Sequence, residues 1–207
     1  MSRGCFITLE GIEGVGKSSA VACVVDWLSA QGRTVMSTRE PGGTALGEQL
    51  RQLLLARDGV PIAPLAELLL MFAGRAQHLA ERIRPALARG ESVVCDRFTD
   101  ATFAYQGGGR GLPTADIAAA ARLVHGDLAP DLTLLLDAPP ALGLGRALSR
   151  GAADRFETEQ VEFFTRVRDT YLELAAREPA RFMVIDASQP LESVHASIRA
   201  ALAARLP

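Results

Sequence analysis

The sequence predicts an α/β fold, a five-stranded parallel sheet with helices on both faces. Three observations lead there. Short apolar runs alternate with helical stretches along the whole chain. The first run leads straight into Gly11-Ile-Glu-Gly-Val-Gly-Lys-Ser18, which matches the phosphate-binding pattern G-x-x-x-x-G-K-[ST]. Carboxylates close the runs at Glu10, Asp96, Asp137 and Asp186, and in open parallel sheets ligands bind beyond the carboxyl ends of the strands. A polar strand end also serves as a helix cap or a turn residue, so no single carboxylate decides the matter.

Phe6-Ile-Thr-Leu9 reads as the first strand. Ser18 to Ala30 follows as a helix, with Val21, Val24, Val25 and Leu28 on one face and Gly32 as its stop. Thr34 to Thr38 is the second strand. Arg39-Glu-Pro-Gly-Gly43 is a turn, and Thr44 is placed to cap a helix running to about Ala56. From Pro64 to Arg89, Leu65, Leu68, Phe72, Ala76, Leu79, Ile83 and Leu87 recur at three- and four-residue steps. That pattern predicts one long helix, with Pro85 kinking or breaking it. Ser92 to Cys95, Leu132 to Leu136 and Phe182 to Ile185 are the remaining strands. Helices are expected near 114–125, 140–149, 158–177 and 191–205, while Thr102 and Gln106 fall in a stretch that reads as loop.

A chain of 207 residues fits one domain spanning 1–207, with room for a small mobile insertion. The net charge of -2 argues against a general nucleic-acid binder. Cys5, Cys23 and Cys95 form no C-x-x-C pair, and His78, His125 and His195 are scattered. Reduced thiols in a cytosol are expected, with no structural disulfide and no zinc. No run of 18 apolar residues exists, so no membrane span is expected. Met1 to Leu9 is too short for a signal peptide, which makes a cytoplasmic location the expectation.

Lys17 is the only lysine among 22 basic residues. Arginine is a planar fork, whereas lysine is a compact point charge on a flexible stem. Gly11, Gly14 and Gly16 let the loop turn its N–H groups inward, and the following helix adds positive potential at its N-terminus. With Ile12, Glu13 and Val15 they form a cradle for the phosphates of ATP. Lys17 is expected across the β- and γ-phosphates and Ser18 on Mg²⁺. The chain has no asparagine and no second lysine, so the N-K-x-D guanine motif is excluded in its usual form. Many arginines around a phosphate loop suggest transfer from ATP to a second phosphorylated molecule, because two polyanions held together require several cations. A nucleotide-binding switch without turnover is the alternative from another class.

Several segments resemble the thymidylate kinase family in its bacterial form. They are Phe6 to Ser18, Thr38-Arg-Glu-Pro-Gly-Gly-Thr44, Leu70-Met-Phe-Ala-Gly-Arg75 and Asp96-Arg-Phe98. Ala104-Tyr-Gln-Gly-Gly-Gly-Arg110, Pro130 to Asp137 and Arg150 to Glu157 follow in the family's order. The resemblance implies a P-loop kinase moving the γ-phosphate of ATP to dTMP with Mg²⁺, acting as a homodimer. Another nucleoside monophosphate kinase is the nearest alternative. By resemblance, Arg97 grips the dTMP phosphate, Asp96 organises Mg²⁺ or Arg97, and Glu13 faces the deoxyribose 3′-hydroxyl. Arg75 donates to a thymine carbonyl, and Gln106 and Thr102 contact the base. Phe72 or Met71 covers the ring, and Arg39 and Arg51 are weaker candidates for the phosphate. A lid over about 143–157 carries Arg146, Arg150 and Arg155. Gly14 stands where some relatives place an arginine, which leaves Arg150 as the expected catalytic arginine.

Overall fold

Each apolar run becomes a strand of one parallel sheet in the computed structural model, which describes residues 4–57, 59–149, 155–157 and 159–206. The strands are β1 (Phe6–Glu10), β2 (Val35–Arg39), β3 (Ser92–Asp96), β4 (Leu132–Asp137) and β5 (Phe182–Asp186), in the order β2-β3-β1-β4-β5. β1 lies between β3 and β4 and is buried at every position, as a strand covered on both faces must be. Its register aligns Leu9 with Asp96 and Glu10 with Leu135, so the carboxylates at the ends of β1 and β3 open into one crevice. Chain order reverses beside β1, the usual place for a ligand in such sheets.

The helices are α1 (Lys17–Ala30), α2 (Ala45–Leu55), α3 (Pro64–His78), α4 (Arg84–Ala88), α5 (Thr99–Thr102), α6 (Thr114–His125), α7 (Pro140–Leu148), α8 (Val161–Arg177) and α9 (Leu191–Arg205). Thr44 caps α2, accepting from the Gly47 amide at 2.9 Å. Helices α1 and α9 pack together on the face of the sheet that carries Ile7 and Leu9, through Val24, Leu28 and Ile198, while α8 brings Tyr171 to Glu10 on the opposite face. That opposite face also carries Phe6, Leu79, Ile83, Leu87, Val93 and Phe98.

Two expectations need correction. The long helix from Pro64 is not one α-helix: a π-helical turn, Leu79–Ile83, separates α3 from α4. Pro85 sits in the first turn of α4, where its missing N–H costs least. The backbone stays helical through the junction, so the proline widens the helix rather than ending it. The stretch around Thr102 and Gln106 is also not a loop. It forms α5 and a π-helical segment, Phe103–Gly109. The triple glycine of this segment discourages a helical reading, but close approach of α8 requires its last two members. A Cβ on Gly108 would lie 2.1 Å from Thr170 Oγ1, and one on Gly109 would lie 2.5 Å from the Phe163 ring.

A second close approach ties α7 to the phosphate loop. Gly14 has φ 71°, and a Cβ there would meet the Gly143 carbonyl at 1.8 Å. No side chain fits this position, which accounts for the glycine independently of any relative. A Cβ on Gly143 would meet the Glu13 carbonyl at 2.5 Å, whereas one on Gly145, in the same helix, would meet nothing within 4 Å. Gly143→Ala is therefore expected to destabilise the fold by about 1–3 kcal/mol through overpacking. Gly145→Ala should stabilise it by about 0.5–1 kcal/mol through helix propensity. Urea midpoints of the two variants, at unchanged slope, check the contrast.

Candidate active site

The loop between β1 and α1 turns its only cation inward. Lys17 Nζ donates to the carbonyls of Gly11 at 3.1 Å and Ile12 at 2.7 Å. Burial and the neighbouring Arg97 charge push its pKa down to about 8, against the pull of Asp96, Glu13 and Glu10. Lys17 is thus held by weak neutral acceptors, at a cost that an entering polyphosphate would reverse.

Arg97, directly after β3, is the centre of a second group. Among the described residues it is the only non-glycine with positive φ, at 70°, a conformation that persists only where surroundings over-determine it. Its guanidinium donates to Glu13 Oε1 at 2.8 Å, Tyr105 Oη at 3.0 Å and Tyr171 Oη at 3.3 Å. The two phenols pass the chain on. Tyr105 donates to Glu13 Oε2 at 2.6 Å, and Tyr171 donates to Glu10 Oε2 at 2.7 Å. Phe98 N donates to the other Glu10 oxygen at 2.7 Å. Burial pushes the Glu10 carboxyl up to about 8. Asp96 lies beside Arg97, and its Oδ1 is buried with no hydrogen-bond partner among the described residues.

The far end of the crevice is built by α3, β2 and the Glu40–Pro41 turn, whose peptide is cis. Arg75 is buried and donates to Glu40 Oε2 at 2.7 Å and Phe98 O at 3.1 Å. His78 Nδ1 meets the other Glu40 oxygen at 3.0 Å, and its Nε2 meets Thr38 Oγ1 at 2.7 Å. The Arg75 guanidinium lies over the Phe72 ring at 4.9 Å and the Phe98 ring at 5.0 Å. Its Nη1 has no partner among the described residues. Gln106 Nε2 donates to Glu67 Oε1 at 2.8 Å, and both residues are buried.

These groups surround a cavity of about 210 Å³. Glu13, Gly14, Gly16, Lys17 and Ser18 line it at the loop end, with Asp96 and Arg97 beside them, and Arg75, Thr102 and Gln106 line the far end. Arg39 and Arg51 flank the opening. Arg39 is half-exposed and grips Glu48 through two hydrogen bonds, and Arg51 donates to the Pro41 carbonyl at 3.0 Å. Gly11, Ile12 and Val15 are buried and do not line the cavity. Phe72 is a correction: it packs with Leu68, Ile117 and Ala121, while Met71 lines the cavity. It shares the buried face of α3 with Leu68, whereas Leu65 and Ala76 of the same repeat are exposed.

Part of the lid region is described. Arg146 donates to the Ala187 carbonyl at 2.9 Å. Arg155 turns away from the loop, donating to Leu54 O at 2.8 Å and Glu67 Oε2 at 2.6 Å. Phe156 and Glu157 line the cavity. Arg150 and residues 151–154 lie outside the described residues. No cluster of three or more metal-ligating side chains occurs among the described residues. Mg²⁺ needs no such cage, since it keeps waters and takes one or two protein ligands beside substrate phosphates. The Ser18 hydroxyl and the orphaned Asp96 oxygen are oxygen donors of that kind, so the residues present fit the ion.

Comparison with known proteins bears on the identity of this cavity. The sequence model of the thymidylate kinase family matches residues 9–198. This chain belongs to the thymidylate kinase family. It is 62% identical to the thymidylate kinase of Chromohalobacter salexigens over 210 positions, covering 100% of this chain and 98% of that one. It is 58% identical to that of Pseudomonas savastanoi pv. phaseolicola, covering 94% and 93%. Among solved structures it resembles the thymidylate kinase from Ehrlichia chaffeensis, with a TM-score of 0.80 and 34% identity over 97% of this chain and 99% of that one. Kinase chemistry and the α/β architecture accord with the reading of the motifs.

Sequence reasoning missed Tyr105, Tyr171, Glu40 and Glu67. One signal was available. The chain has two tyrosines, both hydroxyls reach Arg97, and the rest of the chain does without them.

The Lys17 shift has a sign that can be tested. Its folded pKa of about 8 lies below the unfolded 10.5, so the folded chain binds fewer protons between these values. Its contribution to stability therefore rises with pH across that window, and below it the charged form is held at a cost. Without nucleotide, Lys17→Met is expected to raise the thermal midpoint at pH 7, and the gain should shrink between pH 8 and 10.5. A pH series of thermal melts on both proteins measures this.

Proposed function

We propose that the chain transfers the γ-phosphoryl group of ATP to dTMP, giving ADP and dTDP. The observation that carries this reading is the pairing, in one cavity, of the Lys17 loop with an edge that offers an unpartnered Arg75 donor and the Gln106 amide. The first suits a polyphosphate and the second suits a pyrimidine carrying oxygen at its 4-position.

The residues divide the work. The loop amides and Lys17 hold the β- and γ-phosphates. Arg97 offers a fork to the dTMP phosphate, and its present partners, Glu13 and two phenols, keep it aimed at the crevice. Glu13 can then accept from the sugar 3′-hydroxyl. Ser18 and Asp96 would hold Mg²⁺, which would supply positive charge to the transferring phosphates. An acceptor phosphate oxygen forms a bond to the γ-phosphorus as the bond to the β-bridging oxygen breaks. The Arg150 guanidinium is the proposed lid cation for the charge shared at that moment, and a closed lid excludes water. Met71 is the proposed cover for the thymine face, with Thr102 beside it.

An ADP-release assay with ATP and dTMP, dUMP, dCMP, AMP and GMP tests the reading. dTMP should be the best acceptor, and failure of dTMP where another monophosphate works would end it. In the same assay Lys17→Arg keeps the charge but should cripple turnover, because a fork does not fit a loop shaped for a point charge. Arg150→Ala should lower kcat far more than it raises KM for dTMP.

A homodimer is proposed on a separate observation. Leu65, Leu69, Ala73, Ala76 and Ala80 form an exposed apolar stripe along α3 and the π-helical turn. Pairing with the same stripe of a second copy would cover it by two-fold symmetry. Light scattering should give twice the chain mass, and Leu69→Glu should halve it. A monomer in the unsubstituted protein would refute the interface.

A further inference from the structure

Glu67 has no assigned task, yet it is among the least exposed carboxylates in the molecule. It sits on α3 at 0% exposure and accepts from three sides. Gln106 Nε2 donates to its Oε1 at 2.8 Å and Arg155 to its Oε2 at 2.6 Å, while Arg110 approaches Oε1 at 3.4 Å. An isolated buried carboxylate is costly, and here two guanidinium groups offset the cost. Arg155 is itself tied to α2, through Leu54 O at 2.8 Å and a backbone bond to Leu55 O at 3.2 Å. Arg110 is held by Glu159 as well. The carboxylate is therefore fixed in place and in orientation.

We infer that Glu67 is a positioning residue that determines which face of the Gln106 amide reads the base. A carboxamide has a donor end and an acceptor end that can exchange by rotation. A salt-bridged carboxylate only accepts, so the NH₂ end of Gln106 must face Glu67 and its oxygen is left for a ligand. Gln106 lines the same cavity as Arg75, whose Nη1 donor has no partner among the described residues. The pair presents an acceptor beside a donor. A 2,4-dioxopyrimidine offers the matching N3–H donor beside its O4 acceptor. A 4-aminopyrimidine offers the reverse, a bare N3 beside an NH₂ group. Glu67 thus acts against cytosine without touching any base. This inference rests on the proposed dTMP reading and deepens it to the device that sets base choice.

The test is the ratio of kcat/KM for dTMP to that for dCMP. In Glu67→Gln the neighbour of Gln106 can donate as well as accept, so the Gln106 amide can turn over and donate to cytosine N3. The ratio should fall about tenfold or more, the worth of one buried hydrogen bond, and part of the change should be a gain for dCMP. A variant that is merely destabilised loses both substrates together. Gln106→Met removes the amide, and Glu67→Gln/Gln106→Met should then show the same ratio as Gln106→Met alone. If Glu67→Gln fails to fold, Glu67→Gln/Arg155→Met removes the cation it strands, and the same ratio decides. A ratio within twofold of the unsubstituted protein, or additive effects in the double variant, overturns the inference. Turnover of dTMP by the unsubstituted protein is a separate arm, so a wrong substrate and a wrong role for Glu67 give different results.

Discussion

The active centre depends on one guanidinium held in a backbone conformation that few side chains adopt. Arg97 follows β3 with φ 70°, and that turn throws its side chain across the carboxyl end of β1 instead of along its own strand. There it meets Glu13 from the phosphate loop, Tyr105 from the π-helical segment and Tyr171 from α8. Four separate stretches of chain are fixed relative to one another at this point. Backbone strain of this sort costs about 1–3 kcal/mol, and the hydrogen bonds converging on the guanidinium offset it. Arg97 also raises the cost of a charge on Lys17. The phosphate end of the crevice therefore holds two cations close together, Arg97 paired with Glu13 and Lys17 held by backbone carbonyls. Burial is the larger part of the cost of charging Lys17, and a bound phosphate chain would offset it.

The lone lysine gains meaning beside these arginines. Elsewhere arginine forks grip carboxylates through two nitrogens, as Arg168 does at Asp137 and Arg181 at Asp100. Within the phosphate loop only single carbonyl oxygens are in reach. Two of them, from Gly11 and Ile12, converge on one point, which suits a compact ammonium better than the spread donors of a planar fork. The close contact of Gly14 with Gly143 closes the remaining side of the loop to any side chain, so an arginine serving the transferring phosphoryl group must come from elsewhere.

Much of this was legible because local rules and tertiary packing agree. Strand ends, the Thr44 cap and the loop all follow from pattern and propensity, and the elements they predict lie within a few residues of those observed. The failures lie where packing overrides propensity. Three glycines in a row read as loop, yet α8 comes so near that only glycine fits at residues 108 and 109 of a helical segment. Pro85 reads as a breaker, yet its helix widens by a π turn and continues. Phe72 and Met71 are adjacent and both apolar, and a helix sends one to the core and one to the cavity. Sequence spacing that cannot fix helix rotation to better than one residue cannot separate them. Glu40 and Glu67 escaped notice because a buried carboxylate has no local signature, and its partners lie 35 and 39 residues away.

Those two carboxylates complete the contrast between the ends of the crevice. At the base end every large charge has an ionic partner: Arg75 and His78 share Glu40, and Arg155 and Arg110 share Glu67. A buried pair of this kind contributes little net stability, because desolvation consumes most of the attraction. It does fix direction, since a guanidinium or an amide bound to a carboxylate can turn only one face outward. Discrimination between bases needs that property, because a site with one wrongly turned amide would bind a base of the opposite pattern equally well. The phosphate end needs something else. Its ligand is a polyanion that accepts donors from any direction, so charge matters there more than orientation. Lys17 is accordingly held by two backbone carbonyls, while Arg97 is paired with Glu13. Paired carboxylates at one end and a lysine held by carbonyls at the other divide the crevice into a part fitted to choose the acceptor and a part fitted to hold phosphates.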